Sequence, residues 1–284
     1  MISLYLDDFP TIEDLIEAAR TLRIKRIPLR KIENNSLYDL ELAEVETINN
    51  QLRKAKIRVL YLDIDAEFDL YELINMEHAA AICKVLNCRD LVINLPNFTD
   101  FNAEKEQLIH VVKELLEVAK KNKLKLHFKI NYEINSAYIA FLIKEIAEIL
   151  FVFNPGKCYE THKSITTYYR LIRRKVSLVI FYDVDENKKP ALLGYGKALI
   201  LDMIDKLNID KYKGYIIYDS NLKEYAMTRE KGTKKRFRLP FFRRKKRKAH
   251  LKIDEKLQIQ DSKGIDFIEI LESQLKLIQL YKKW

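Results

Sequence analysis

The sequence predicts an α/β fold: a single (β/α)8 TIM barrel with a basic insertion between the eighth strand and the closing helix. Three observations carry that prediction. Short apolar runs alternate with amphipathic helical stretches along the chain, the pattern of parallel strands joined by crossover helices. The chain has 284 residues, and such a barrel needs ~250. No glycine-rich turn follows the first apolar run, which argues against an open, doubly wound sheet.

The expected strands are Ile2–Leu6, Ile24–Leu29, Arg58–Leu62, Asp90–Leu95, Leu124–Ile130, Ile149–Phe153, Ser177–Tyr182 and Tyr215–Tyr218. Helical patterns fall between them at Thr11–Leu22, Leu40–Ala55, Leu70–Leu86, Ala103–Asn122, Ser136–Glu148, Lys163–Arg173 and Ala198–Leu207. Thr11, followed by Glu13 and Asp14, marks a helix start. After Asp219 the next helical pattern is Ile265–Tyr281, where Ile268, Leu271, Leu275 and Ile278 fall at helical spacing. This is read as the closing helix of the barrel, the alternative being a tail helix docked elsewhere. The single domain thus spans residues 1–284, with 229–252 as its insertion.

Hydrophobic residues make up 48% of the chain, enough for a sizeable core. The three cysteines, Cys83, Cys88 and Cys158, make no disulfide framework and lack zinc-knuckle spacing. They are read as thiols in a reducing cytoplasm. The start MISLYLDDFP lacks the basic residues that open a signal peptide, and no apolar run approaches the ~18 residues of a membrane span. The expected location is therefore cytoplasmic, with peripheral contact at a membrane left open by the charge distribution. Net charge is +10, but Arg229–Lys252 alone contributes +12 and the remainder carries −2.

Residues Val176–Asp219 are the most informative stretch. An apolar strand ends at Asp183, then come a short loop, Leu193-Gly-Tyr-Gly196, an amphipathic helix, Tyr212-Lys-Gly214 and a second strand ending at Asp219. This layout resembles the seventh and eighth units of the xylose-isomerase-like barrels, the superfamily of sugar isomerases, sugar epimerases and endonuclease IV. The resemblance extends weakly over Met1–Asp219 and the last helix. It implies a divalent metal at the strand ends, held by a Glu after strand five, an Asp after strand six, a His in strand seven and a Glu after strand eight. The metal would organise adjacent substrate oxygens while the two glutamates move protons.

Position by position, those ligands fall on Lys129, Asn154, Ile180 and Asp219. The histidine that often follows the family's strand-six motif falls on Lys157, and the Glu that often ends strand two falls on Pro28. One carboxylate and one amide do not hold a hard cation, so no metal and no cofactor are expected. Asp183 agrees with the family's Asp after the strand-seven histidine, though the His itself is absent. Lys129, Asp219 and Asp183 form the remnant site. Three roles are open to it. Lys129 pairs with Asp219 or Asp183 and neutralises the mouth; Lys129 and Lys157 replace the metal's charge and bind an anion; or a desolvated Lys129 serves as base or Schiff-base nucleophile. Asp63 and Asp65 add polar groups at the mouth. His127, one layer deeper on the Lys129 face, is read as a buried, hydrogen-bonded histidine.

The insertion's core reads KKRFRLPFFRRKKRK. Its partner-binding candidates are Lys234, Lys235, Arg236, Phe237, Arg238, Phe241, Phe242, Arg243, Arg244, Lys245, Lys246, Arg247 and Lys248. Three readings are open: contact with an acidic lipid surface, nucleic-acid binding with phenylalanines stacked on bases, or apolar residues packed on the barrel with solvated charges. The expected function is that of a pseudoenzyme: a catalytically degenerate barrel acting as a binding or regulatory protein, its anionic partner held through this basic loop. The alternative is a metal-independent isomerase or epimerase acting on a sugar or sugar phosphate in the barrel mouth.

Overall fold

The computed structural model describes residues 1–71, 74–223 and 266–282. Eight parallel strands form one sheet: β1 Ile2–Leu4, β2 Arg26–Leu29, β3 Arg58–Asp63, β4 Asp90–Asn94, β5 Lys125–Lys129, β6 Phe151–Phe153, β7 Val176–Phe181 and β8 Tyr215–Tyr218. They are hydrogen-bonded in the order β1-β8-β7-β6-β5-β4-β3-β2, a nearly closed barrel. Among the described residues the ladder is missing only between β1 and β2. There the Ser3 hydroxyl donates to the Arg26 carbonyl at 2.6 Å. Pro28 has no N–H to give, and the pairing of β2 with β3 shifts register between Ile27 and Leu29.

The helices are α1 Ile12–Thr21, α2 Leu42–Lys54, α3 Met76–Leu86, α4 Phe101–Lys121, α5 Ser136–Glu145, α6 Pro155–Glu160, α7 Ile165–Ile172, α8 Ile200–Ile209 and α9 Phe267–Tyr281. Thr11 caps α1 as expected, accepting from the Asp14 N–H at 3.1 Å. Only α6 lacks a counterpart in the sequence reading. Its start is set by Asn154, which accepts from the Lys157 N–H at 3.0 Å, and by Pro155 in the first turn.

Alternate strand residues face two cores. One lies between strands and helices. The other fills the barrel interior with Leu60, Val92, Val152, Leu178, Ile180 and Ile217. The α9 helix closes the barrel: Ile270, Leu271, Leu275 and Ile278 are buried. Its buried Gln274 accepts from the Leu193 N–H at 2.7 Å, tying α9 to the loop after β7. That settles the tail-helix alternative against a separate docking site. The three cysteines are free and buried; Cys88 lies just past α3, beyond the left-handed cap at Asn87. No helix among the described residues is long and apolar enough to cross a membrane. Residues 229–252 lie outside the described residues, in the connection from β8 to α9.

Candidate functional site at the strand ends

The C-terminal ends of the strands surround a cavity of about 480 Å³. Lys129, Asn154, Lys157, Ile180 and Asp219 all line it, so the structure brings together the positions aligned from the sequence. What they do there differs from the expectation in four ways.

First, Lys129 pairs with neither Asp219 nor Asp183. Its ammonium lies between Asp63 Oδ1 at 2.8 Å and Asp65 Oδ1 at 2.5 Å, both from the end of β3. Burial alone would lower the lysine, but the two carboxylates outweigh it and hold the ammonium above the ordinary lysine value. The pairing with both carboxylates favours the ammonium over the free amine that a base or Schiff-base nucleophile requires. Asp65 is correspondingly held down: burial would raise it, but Lys129 wins.

Second, the partner of Asp219 is Arg30, a residue the sequence reading passed over. Arg30 follows β2 directly. It donates from Nε to Asp7 Oδ2 at 2.6 Å and from Nη1 to Asp219 Oδ2 at 3.3 Å. Its guanidinium also sits over the Tyr5 ring, 4.3 Å from the centroid. Burial would lower Arg30, yet Asp219 and Asp7 raise it overall. Burial pushes Asp7 up to about 6 against the pull of Arg30, and raises Asp219 in the same way. The two ion-pair groups are joined through Tyr5, whose hydroxyl donates to Asp63 Oδ2 while accepting from the Tyr61 hydroxyl at 2.9 Å. Burial and the Asp63 charge keep both phenols protonated.

Third, Lys157 is also taken up. Its ammonium lies 2.9 Å from Glu160 Oε2 on the same short helix and 5.4 Å from the Tyr182 ring centroid. Neither lysine expected to present an anion site offers a free charge. The mouth is lined by Arg30, Lys129 and Lys157 against Asp63, Asp65, Glu67, Glu133, Glu160 and Asp219. An anion entering it meets an excess of carboxylates.

Fourth, Asp183 does not line the cavity. It is buried and accepts from the backbone N–H groups of Val184, Gly194, Gly196 and Ala198 at 2.8–3.1 Å. It staples the loop after β7. Gly196 is required there, because a Cβ would lie 2.1 Å from Asp183 Oδ1 and 2.4 Å from the Val184 carbonyl. The Leu193-Gly-Tyr-Gly196 motif is thus a carboxylate cradle within the fold, and the signal for it was the pairing of Asp183 with two nearby glycines.

His127 is buried as read from the sequence, between Ser177 Oγ at 2.6 Å and Asp90 Oδ1 at 2.8 Å. Burial lowers its pKa, with Asp90 offsetting part of the effect.

The metal implied by the resemblance does not fit these residues. Ile180 is packed in the apolar interior. Asp63 and Asp219, the buried carboxylates at the centre, already carry Lys129 and Arg30. No group of three or more His, Cys, Asp or Glu suited to a metal ion occurs among the described residues.

Eight parallel strands alternating with helices, closed by α9, define the fold class, an α/β (β/α)8 TIM barrel, and the solved structures it resembles include sugar epimerases and a probable dehydratase. The chain is similar in structure to L-ribulose 3-epimerase, with a TM-score of 0.66 at 12% identity over 99% of this chain and 93% of that one. It is similar to the probable 3-DHS dehydratase AsbF of Bacillus anthracis, involved in petrobactin synthesis, with a TM-score of 0.65 at 10% identity over 98% of both chains. A xylose isomerase domain protein from Planctomyces limnophilus matches with a TM-score of 0.60 at 13% identity, over 72% of this chain and 83% of that one. Identities this low speak for the fold alone. No protein-family model and no curated protein sequence matches the chain.

Proposed function

We propose that this chain is a metal-independent binding barrel whose mouth takes a neutral, polyhydroxylated ligand of the sugar class. One observation carries the reading: Lys129 and Arg30, each bridging two carboxylates, occupy the strand ends as a fixed ionic network. Such a network offers charged acceptors and donors to hydroxyl groups. It supplies neither a metal's Lewis acidity nor a deprotonated lysine. The carboxylate excess at the mouth favours a neutral sugar over its phosphate.

The polybasic segment gives the binding reading its second half. Lys234–Lys248 interleaves Phe237, Phe241 and Phe242 with cations, which supports recruitment of an anionic partner. Salt-sensitive binding to nucleic acid or to acidic liposomes, lost on deleting Lys234–Lys248 with the barrel intact, is the expected result for that half.

The test of the mouth is elemental metal analysis of the purified protein, followed by thermal-shift titrations. The titrants are Mn²⁺, Mg²⁺, Co²⁺ and Zn²⁺, then L-ribulose and D-fructose beside their phosphates. The expected outcome is no stoichiometric metal, no metal stabilisation, and a shift with a neutral ketose that disappears in Lys129→Met. Stoichiometric metal with clear stabilisation would overturn the reading. Ketose conversion without metal, lost in Asp219→Asn, would move the chain to the isomerase and epimerase class that its structural neighbours represent.

A further inference from the structure

The opposite, N-terminal end of the barrel carries a second concavity of about 640 Å³. Five cations line it: Arg26 at the start of β2, Arg53 in the last turn of α2, Arg58 at the start of β3, Lys84 in the last turn of α3, and Arg89 just before β4. Helix macrodipoles account for Arg53 and Lys84, since cations are favoured at helix C-termini. They do not account for Arg26, Arg58 and Arg89, which stand on strand starts and a loop.

None of the five forms an ion pair among the described residues. Asp90, beside Arg89 in the chain, forms no ion pair with any of the five. Its oxygens face His127 Nε2 at 2.8 Å (Oδ1) and accept from the Tyr215 hydroxyl at 3.2 Å (Oδ2). The Tyr215 side chain also lines the concavity, adding an aromatic surface to its wall.

Like charges gathered in one concavity repel each other and focus a positive potential on its centre. Guanidinium forks match phosphate oxygens two at a time. The volume falls in the ~300–1,000 Å³ range of small-molecule sites, more than a lone inorganic ion needs. We propose that this concavity binds a small molecule carrying two or more phosphate groups. The concavity shares no lining residue with the mouth cavity.

The experiment is isothermal titration calorimetry of the full chain with inorganic phosphate, pyrophosphate and tripolyphosphate, with sulfate as the control anion. One saturable site is expected, tightening from phosphate to tripolyphosphate. Arg53→Gln and Arg58→Gln are exposed positions that leave the fold intact by circular dichroism, and each weakens tripolyphosphate by about tenfold. Arg243→Ser/Arg244→Ser, in the polybasic segment, leaves the affinity unchanged. Equal affinity in the Arg53 and Arg58 variants, or loss only in the segment variant, would overturn the proposal. So would binding of a single-stranded RNA oligonucleotide with no binding of tripolyphosphate.

Discussion

Replacing Lys129 with methionine removes a charge while keeping most of the side-chain stem, and so isolates the ionic half of the strand-end network. The Lys129 side chain is 17% exposed, Asp63 only 1% and Asp65 58%. The two halves of the bridge are therefore unequal. Removing one partner of a buried pair costs ~3–5 kcal/mol, because the other charge is left without compensation. An exposed pair contributes only ~0.2–1 kcal/mol. Lys129 keeps some solvent, and Tyr5 still donates to Asp63, so the lower end applies to the Asp63 half. Lys129→Met is expected to lose about 3 kcal/mol in urea unfolding at pH 7 with an unchanged slope. Asp65→Asn should lose less than ~1 kcal/mol. The double variant Lys129→Met/Asp63→Asn should lose less than the sum of its singles, with a coupling of ~1–3 kcal/mol. The reasoning fails if Lys129→Met falls within ~0.5 kcal/mol of the parent, or costs no more than Asp65→Asn.

Three further outcomes follow from the same geometry. With its pKa raised to about 6, folded Asp7 keeps its proton where the unfolded chain has lost it. Stability from this group is therefore present at low pH and is lost as pH rises from about 4 to 6, by about 3 kcal/mol; urea midpoints across that window should fall less steeply in Asp7→Asn. Gly196→Ala would place a methyl 2.4 Å from the Val184 carbonyl and should destabilise by ~1–3 kcal/mol or more through overpacking, read as a lowered thermal midpoint with faster proteolytic cutting in the loop after β7. Gln274→Leu leaves the buried Leu193 N–H without its acceptor, a loss of ~1–3 kcal/mol by urea unfolding, while Gln274→Glu, which keeps an acceptor, should lose less.

All eight strands and all eight expected helices were found, though the third starts at Met76 rather than Leu70, because each must bury one face and the pattern records which. Periodicity carries no record of contacts between distant segments, and the strand-end site is made of those. Lys129 meets Asp63 and Asp65 across one intervening strand of the barrel. Arg30 meets Asp7 and Asp219 across the seam where β1 and β2 lack a ladder. Aligning positions with a fold family identified where a ligand set would stand, and so found Lys129, Asn154, Ile180 and Asp219. It could not find Arg30, which has no counterpart among the aligned positions. Its one local signal is its place, directly after the apolar run that ends β2. Asp183 shows the opposite limit: it follows β7, as the family pattern implies, but four backbone N–H groups take up its oxygens. A carboxylate's position in the chain does not say whether its lone pairs face a ligand or the fold.

The charge arithmetic has the same limit. Outside the polybasic segment the chain is nearly neutral, yet the barrel sorts its charges by end. The strand ends and the segments that follow them supply six carboxylates and three cations to the mouth cavity, whereas the strand starts and the segments that precede them supply five cations to the opposite concavity. Helix macrodipoles favour this sorting, since each crossover helix starts near the mouth and ends at the far face, but they reach only the terminal turns. The remaining charges lie on loops and strand ends, where no dipole requires them. If both proposals hold, the barrel would separate ligands by charge, with neutral sugars directed to one end and phosphorylated molecules to the other. The two concavities share no lining residue, and energetic effects at sites without shared partners add. Thermal shifts from a neutral ketose and from tripolyphosphate should then be additive in one sample. Competition between them would mean that both bind at the same end, and the division of roles between the two faces would fall.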